Sequence, residues 1–285
     1  MTDDAPAAPT NKGGFVTEVI EIVKTVTVAL LIALVLRIFL FQPYTIPSGS
    51  EEPNLYQGDY IIVSKYSYGY SKHSIPFSPP LFNGRIFFHA PRRGDIIVFK
   101  LPSDTSKDYI KRLMGLPGDH IQVKAGIVYI NGKPLPRQFV KSTTSDRAER
   151  GDPDIVDANQ FRETNPEGRS YLSNSFTNIY PADNTGVYVV PPHCYFMMGD
   201  NRDNSLDSRF DPGMEGQPIG PGNCGWDSSL DLPDDQRNGV GFVPEQNLEG
   251  RAQLILLSWN RNASLFKPWT WFLDAKPSRF FHVLK

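Results

Sequence analysis

The segment GDIIVFK (94–100) joins a Gly-Asp turn to a run of β-branched and aromatic residues that is typical of a strand. The same design recurs in GDYIIVSK (58–65) and GDHIQV (118–123), while IVYI (127–130) ends in the hairpin turn Asn131-Gly132. Four such turns beside short strands predict a mainly β fold. We expect the strands to form an antiparallel, barrel-like or sandwich domain.

Length and composition exclude several classes of protein. The 285 residues suffice for one large domain or two modest ones, and the formal net charge of −2 comes without a long basic run, which argues against nucleic acid as a partner. The two cysteines, Cys194 and Cys224, allow one bridge in an oxidising compartment. No ligand cluster is visible in the sequence, so we expect neither a metal nor another cofactor.

The chain before these strands contains its most apolar segment. Residues 1–14 are small, polar and charged, which predicts a disordered tail, and residues 15–41 predict a transmembrane anchor. The apolar run is about 17 residues, or roughly 26 Å as a helix, near the lower limit for a bilayer. A buried soluble helix is rarely apolar on every side, and a cleaved signal peptide lacks its small-x-small site here; both alternatives stay open. Arg37 can extend to the headgroups.

Two stretches interrupt the strand pattern of residues 42–285. Residues 136–184 are polar and weakly periodic and predict an inserted small cap region. Residues 211–239 are rich in Gly, Pro and Asp and predict a loop insertion. An aromatic cluster near the C-terminus is compatible with the core or with a membrane interface; it comprises Trp269, Trp271, Phe272, Phe280 and Phe281.

Three motifs contain polar residues in unusual settings. IPSGSEEPNL (46–55) holds two serines one glycine apart between two prolines, which restrict the backbone. In DYIKRLMGLPGD (108–119), strand alternation puts Lys111 and Arg112 on opposite faces. GDNRDNSLDSR (199–209) has the short polar side chains of a tightly hydrogen-bonded loop. Taken singly, the motifs have simpler explanations: the first as a polar loop after a membrane helix, the second as a strand with a solvated edge lysine, and the third as a structural loop.

In this order and together, the motifs resemble those of bacterial signal peptidase I, a membrane-bound family with a Ser-Lys dyad. The matching segments are PSGS (47–50), GDYIIVSKYSYG (58–69), RRGDIIVF (92–99), DYIKRLMGLPGD (108–119), YFMMGDNRDNSLDSR (195–209) and GFVPEQNLEGRA (241–252). The resemblance implies a membrane-anchored serine endopeptidase that removes signal peptides from exported preproteins.

The resemblance also implies roles for individual residues. Ser50 matches the nucleophile and Lys111 the general base. The assisting positions are Ser48 in the oxyanion hole with the Ser50 N–H, Ser205 beside the lysine, and the supporting pair Asp207 and Arg209. A serine hydroxyl needs a base, and a lysine with an ordinary pKa of about 10.4 is charged at neutral pH. We therefore expect the fold to bury the amine and favour its neutral form.

The family cleaves after small residues, usually alanine, at the first and third positions before the cut. An extended substrate added beside a strand would suit this preference. Our candidates for contacting it are Ile46, Pro47, Glu51, Tyr109 and Ile110.

The sequence departs from the family where Glu51 and Asn54 replace the usual methionine and threonine. A carboxylate beside the nucleophile would be costly to bury and would favour the charged form of the lysine. Either Glu51 turns to solvent, or the chain has altered specificity or reduced activity. On this reasoning Glu51→Met would raise kcat/KM and let activity appear at lower pH.

Localisation also follows from the resemblance. It implies a single-pass protein of the bacterial inner membrane, with residues 1–14 in the cytoplasm, residues 42–285 in the periplasm, and the lipid bilayer and signal peptides as partners. Disulfides persist in the periplasm, so we expect a Cys194–Cys224 bridge that pins the 211–239 insertion; a buried Cys194 with a loose, exposed Cys224 is the alternative.

Two other functions stay open. One is a catalytically impaired homologue that binds signal peptides or an assembly partner, which the Glu51 and Asn54 departures motivate. The other is a different Ser-Lys hydrolase, such as a self-cleaving repressor. The apolar anchor and the absence of a DNA-binding pattern in the sequence argue against it.

Overall fold

The N-terminal element is the helix α1 (Lys12–Phe39). The computed structural model describes residues 12–146, 155–176, 180–214, 222–232, 239–260 and 269–284. The disordered tail predicted for residues 1–14 is therefore helical from Lys12 onward, and the part before it lies outside the described residues. Pro43 follows the helix closely, and proline cannot continue a helix because it lacks an N–H donor.

Helix α1 is apolar along most of its length and exposes that surface. Within Gly14–Phe39 the most apolar window of 18 residues has a mean hydropathy of 2.5, and none of that window is buried against the rest of the protein. Among the described residues it is the only helix long and apolar enough to cross a bilayer. The alternative of a buried soluble helix is wrong because the helix has no protein surface packed around it.

The remainder of the chain is mostly strands joined by turns. They are β1 (Phe41–Thr45), β2 (Asp59–Ser64), β3 (Ile96–Leu101), β4 (Asp104–Gly115), β5 (His120–Lys124), β6 (Ile127–Ile130), β7 (Lys133–Pro134), β8 (Arg137–Asp146), β9 (Ile155–Thr164), β10 (Ser170–Phe176), β11 (Tyr188–Val189), β12 (Cys194–Met198), β13 (Val243–Pro244), β14 (Leu248–Ser258) and β15 (His282–Val283). A one-turn helix, α2 (Thr270–Leu273), precedes β15.

The strands form three antiparallel sheets. The main sheet has eight strands in the order β1-β2-β14-β3-β4-β12-β13, with β15 paired to β14. A four-stranded sheet has the order β11-β5-β6-β7, and a three-stranded sheet has the order β10-β9-β8. The predicted mainly β, antiparallel fold is confirmed. Within the described part of the chain the main sheet stays open, because β1 and β13 are its edges, so it is not a closed barrel.

The Gly-Asp turns start strands where the sequence predicts them. Gly58 and Gly94 precede β2 and β3 with φ of +91° and +87°, a region that glycine enters without steric cost. At Gly58 a Cβ would also lie 2.2 Å from the carbonyl oxygen of Trp259. The turn therefore needs glycine both for its backbone conformation and for its close approach to the end of β14.

Apolar side chains from neighbouring strands form separate clusters against the main sheet. One cluster packs the four-stranded sheet against β12 and includes Ile121, Tyr188 and Phe196. Another lies beneath residues 46–55 and joins Ile46 to β2 and β3. Each strand contributes alternate residues to such a cluster, which accounts for the two-residue periodicity of the sequence.

Strands β8 to β10, joined as the three-stranded sheet, occupy most of the predicted cap region 136–184; we refer to them as the cap sheet. The insertion at 211–239 is described at 211–214, 222–232 and 239. Cys194 and Cys224 form a disulfide with Cα atoms 6.0 Å apart, which confirms the predicted bridge. The bond ties residues 222–232 to the first residue of β12.

The aromatic cluster near the C-terminus lies largely at the surface. Trp269 and Phe272 are 60% and 86% exposed, and Trp271 and Phe281 are exposed as well. The alternative that these four side chains belong to the core is wrong. Phe280 is half-buried and packs against Trp259, with ring centroids 6.1 Å apart.

Candidate active site

The two serines lie in a compact turn between β1 and β2, which we call the serine turn (residues 48–55). Glu52 N–H donates to the Gly49 carbonyl at 3.1 Å, and the N–H groups of Asn54 and Leu55 both donate to the Glu51 carbonyl at 2.9 Å. Leu55 is fully buried in the apolar cluster below. Backbone hydrogen bonds within the turn therefore hold its shape, and the packing of Leu55 anchors its C-terminal end.

Strand β4 brings Lys111 to this turn. Pairing with β3 sets Lys111 opposite Ile97, and the Lys111 Nζ donates a hydrogen bond to the Ser50 Oγ. Ser48 Oγ lies 3.4 Å from Ser50 Oγ. Lys111 and Ser50 are 2% and 1% exposed, so Lys111 is not a solvated edge residue. In the described part of the chain no carboxylate forms an ion pair with Lys111, which leaves the hydroxyl as its polar partner.

The loop that follows β12, called here the polar loop (residues 199–209), closes over the serine turn. The Asn201 N–H donates to the Ser50 carbonyl at 3.0 Å, and Asn201 Nδ2 donates to the Gly49 carbonyl at 3.1 Å. Glycine is required at position 199, because a Cβ there would lie 2.6 Å from the Ser50 carbonyl oxygen and 2.3 Å from Ser205 Oγ. These contacts hold the backbone of Ser50 against the polar loop.

Asp207 and Arg209 form a buried pair that holds the polar loop in shape. Asp207 accepts hydrogen bonds from the Gly199 N–H at 3.0 Å and from Arg209 Nε at 2.9 Å. Burial alone would raise the pKa of Asp207, but the Arg209 guanidinium and the Gly199 N–H outweigh it and hold the pKa below its ordinary value. The pair is therefore ionised at neutral pH and supports the loop beside Ser50.

Ser205 lies next to the dyad candidates without bonding to them. It is 1% exposed, and its Oγ has no hydrogen-bond partner among the residues that the structure describes. The Ser205 hydroxyl and the Ser50 carbonyl both lie close to Gly199, because a Cβ on that glycine would contact each of them. The structure thus brings Ser205 to the site but does not include the hydrogen bond to Lys111 that the resemblance implies.

A second buried ion pair, Arg112–Asp200, lies on the other face of β4. Arg112 Nε and Nη2 donate to the two Asp200 oxygens, each at 2.7 Å, and Asn54 Nδ2 donates to Asp200 Oδ2 at 2.7 Å. Burial alone would lower the pKa of Arg112, but the carboxylates of Asp200 and Glu51 raise it. Glu51 is 1% exposed, so the expectation that it turns to solvent is wrong.

The cap sheet contributes residues to the site that no motif predicted. Ser145 of β8 accepts from Asn201 Nδ2 at 2.8 Å and donates to Glu52 Oε2 at 3.1 Å. Glu163 of β9 forms a bidentate ion pair with Arg202, whose Nη1 and Nη2 donate to the two carboxylate oxygens at 2.8 and 2.6 Å. Burial alone would raise the pKa of Glu163, but Arg202 lowers it below its ordinary value. The polar loop is thus clamped between the serine turn and the cap sheet.

The five residues predicted to contact substrate differ in accessibility. Pro47 is exposed, and Tyr109 and Ile110 are half-buried. Ile46, at 3% exposed, packs in the cluster beneath the turn, and Glu51 is buried at 1% exposed. Of the five, only Pro47, Tyr109 and Ile110 present surface to a ligand in this structure.

An unpaired strand edge adjoins the Lys111–Ser50 contact. Strand β3 pairs with β4 from Asp104 to Arg112, whereas β12 pairs with the opposite edge only from Arg112 to Gly115. Among the described residues no strand pairs with that second edge between Tyr109 and Lys111. Its backbone groups are available to hydrogen-bond an extended peptide that approaches Ser50.

Comparison with known proteins identifies related chains. The sequence pattern of the family described as "Signal peptidase, peptidase S26" matches residues 19–259, which include the serine turn, β4 and the polar loop. The signal peptidase I of Rickettsia typhi is 38% identical over 262 residues, or 85% of this chain and 86% of that protein. The signal peptidase I of Rickettsia akari is 38% identical over 84% of each chain. A solved signal peptidase I from Enterococcus faecalis is 23% identical, with a TM-score of 0.27, and covers 57% of this chain and 97% of its own.

Proposed function

Because this chain belongs to the signal peptidase family, peptidase S26, we propose that it is a membrane-anchored serine endopeptidase with Ser50 as nucleophile and Lys111 as general base. Its substrates are the signal peptides of exported preproteins. The single observation that carries the proposal is the hydrogen bond from Lys111 Nζ to Ser50 Oγ at a buried site. Ser50 and Lys111 are called the dyad below.

The first chemical step is acylation of Ser50. In its neutral form the Lys111 amine takes the hydroxyl proton as Ser50 Oγ attacks the carbonyl carbon before the cleaved bond. The amine then gives this proton to the leaving nitrogen of the mature protein, and the signal peptide remains as an ester on Ser50. Water, deprotonated by the same amine, attacks the ester and releases the signal peptide. The amine then gives the proton taken from water to Ser50 Oγ as the ester bond breaks, which restores the serine hydroxyl and the neutral amine.

The negative charge that develops on the attacked carbonyl oxygen needs donors already in place. The Ser48 hydroxyl, whose oxygen lies 3.4 Å from Ser50 Oγ, and the Ser50 N–H are our candidates. Donors fixed before the reaction stabilise this charge without further reorganisation, and removal of one typically costs about 10²–10³-fold in kcat. The hydrogen bonds from Asn201 to the Ser50 and Gly49 carbonyls support such fixation.

We propose that Ser205 becomes the hydrogen-bond partner of Lys111 after Ser50 is acylated. Its buried Oγ has no hydrogen-bond partner within the described ranges. Once the acyl group occupies Ser50 Oγ, the Lys111 amine loses that partner and can turn to the Ser205 hydroxyl. A hydroxyl orients the amine without adding a charge that would favour its protonated form.

The preprotein is proposed to bind as an extended segment along the unpaired edge of β4. This edge runs from Tyr109 to Lys111 and leads directly to Ser50. The half-buried Tyr109 and Ile110 and the exposed Pro47 are the predicted contacts for the small residues before the cut. Main-chain hydrogen bonds would give affinity, and shallow contacts would select small side chains.

Membrane anchorage is proposed for α1, with the strands on the periplasmic side of the bacterial inner membrane. The apolar, unburied helix supports a single span, and the Cys194–Cys224 disulfide supports an oxidising compartment. With enzyme and signal peptide in one bilayer, their effective concentration rises. The exposed Trp269 and Phe272 would suit the headgroup region.

A catalytically impaired homologue that only binds signal peptides is the second candidate, because a buried carboxylate follows the nucleophile. Cleavage of a preprotein by purified protein in liposomes separates the two. We expect one cut after an Ala-x-Ala sequence, located by the N-terminal sequence of the product. Binding of the preprotein without any cut by wild-type protein would support the second candidate and refute the first.

A further inference from the structure

Two side chains of the serine turn, Glu51 and Asn54, converge on one buried ion pair. Asn54 Nδ2 donates to Asp200 Oδ2 at 2.7 Å, and Asp200 accepts both Arg112 Nε and Nη2. Glu51 is 1% exposed, and its carboxylate is close enough to raise the pKa of Arg112. The Arg112–Asp200 ion pair is therefore bonded to the serine turn through Asn54, and the buried charge of Glu51 in the same turn acts on Arg112.

Strand β4 connects this ion pair to the dyad. Lys111 and Arg112 are neighbours whose side chains leave opposite faces of the strand. Lys111 bonds Ser50, and Arg112 bonds Asp200, which in turn accepts from Asn54, so consecutive residues of the strand are linked to the two ends of the serine turn. Asn201 holds the carbonyls of Gly49 and Ser50 near the start of the turn, and the Asn54–Asp200 bond holds its end, so the direction of the Ser50 hydroxyl depends on both attachments.

Asn54 adds an attachment that the ion pair alone does not provide. Its Nδ2 also donates to the Leu172 carbonyl of β10 at 2.7 Å, so one amide joins the serine turn to both the polar loop and the cap sheet. Threonine has a single hydroxyl donor, so Asn54→Thr can keep only one of these two bonds.

We propose that Glu51 and Asn54 are positioning residues that use the Arg112–Asp200 ion pair to direct the Ser50 hydroxyl toward the dyad lysine. The inference rests on the proposed function, because it assumes that the dyad performs the cleavage. It reverses the expectation that Glu51→Met activates the enzyme. The buried carboxylate has the Arg112 guanidinium as a counter-charge, so its removal loosens the turn.

The test is a double-mutant cycle of Glu51→Met and Asn54→Thr in full-length enzyme in liposomes, with kcat and KM measured on a preprotein. Each single substitution should lower kcat by about 10- to 100-fold, the usual consequence of a small misplacement of reacting groups, and leave KM unchanged. The double variant should lose less than the product of the two single losses, because both residues act through the same ion pair.

Glu249→Met is the matched control. Glu249 is also 1% exposed and paired with a buried cation, Lys65, but it lies in β14 and outside the site. It should lose stability as Glu51→Met does and keep the kcat of the parent. Rates are expressed per folded enzyme from melting curves, and Glu51→Gln, which keeps the side-chain shape, is measured in parallel in case the methionine variant does not fold.

Three results would overturn the positioning role: an unchanged kcat in both single variants, losses that multiply in the double variant, or an equal loss of kcat in Glu249→Met. Failure of the proposed function looks different, because the parent protein would then not cut the preprotein at all, or cleavage would survive Ser50→Ala or Lys111→Ala. If these two variants are inactive while Glu51→Met and Asn54→Thr both keep the parent kcat, only the positioning role is wrong.

Discussion

Removal of the Cys194–Cys224 disulfide should destabilise the protein without altering the dyad. The bond joins residues 30 apart in sequence, and closing a loop of this length in the unfolded chain corresponds to about 3.6 kcal/mol at 25 °C. For a domain of this size that is a fall in Tm of about 7–14 °C. The bond begins β12, whereas the polar loop follows its other end, so kcat at 25 °C should not change.

Urea unfolding of oxidised and reduced wild-type protein in detergent measures this difference without a change of sequence. The double variant Cys194→Ala/Cys224→Ala should be at least as unstable as the reduced protein, and reductant should not affect it further. Two reactive thiols per chain in unreduced, denatured protein would refute the reasoning. Equal midpoints for the oxidised and reduced forms would refute it as well.

Two further substitutions test individual side chains near the site. Burial raises the pKa of Asp203, and the charge of Asp183 raises it further. Burial also raises the pKa of Asp183. The stability that these carboxyl groups contribute below their unfolded pKa is therefore lost as the pH rises through their folded pKa values. Asp183→Asn should therefore raise Tm at pH 7 and have little effect at pH 4; an equal shift at both pH values would contradict this. Ser205→Ala should not lower Tm, because its Oγ bonds nothing in the described structure, but should lower kcat by about tenfold or more. A parent-like kcat would argue against its role.

The strands could be predicted because their signals are local. GDYIIVSK (58–65) and GDIIVFK (94–100) each combine a turn that needs positive φ with a run of β-branched residues, and β2 and β3 follow these turns closely. Such signals depend on a few neighbouring residues and not on the rest of the fold. The order of the strands in the sheet depends on distant pairing and was not predictable from them.

The cap sheet was predicted only as a polar insertion, because its buried side is polar. Glu163, Ser173 and Asn174 are all nearly inaccessible to solvent. They are satisfied by hydrogen bonds and ion pairs, such as that of Glu163 with Arg202 of the polar loop. For this reason β9 and β10 lack the alternation of apolar and polar residues that predicts a strand. Their buried polar side chains find partners in the polar loop, which is distant in sequence.

At the candidate site, motifs predicted which residues meet but not how they are arranged. Ser50 and Lys111 are brought together as expected from the resemblance. The burial of Glu51 depends on how the serine turn lies across β4, which local sequence does not determine. Arg112, the neighbour of the dyad lysine in the sequence, was a sign of a cation near that carboxylate.

The most direct test of the central claim is the cleavage rate of Ser50→Ala, Lys111→Ala and the double variant, in a preparation free of host signal peptidase. Since nucleophile and base act as one unit, each single variant should lose at least about 10³-fold in kcat and the double variant no more than either. The exposed neighbours Lys141 and Ser142 of β8 provide controls, because Lys141→Ala and Ser142→Ala should keep the parent rate. More than a few per cent of the parent rate in either single dyad variant, with its fold intact, would contradict the assignment of the dyad.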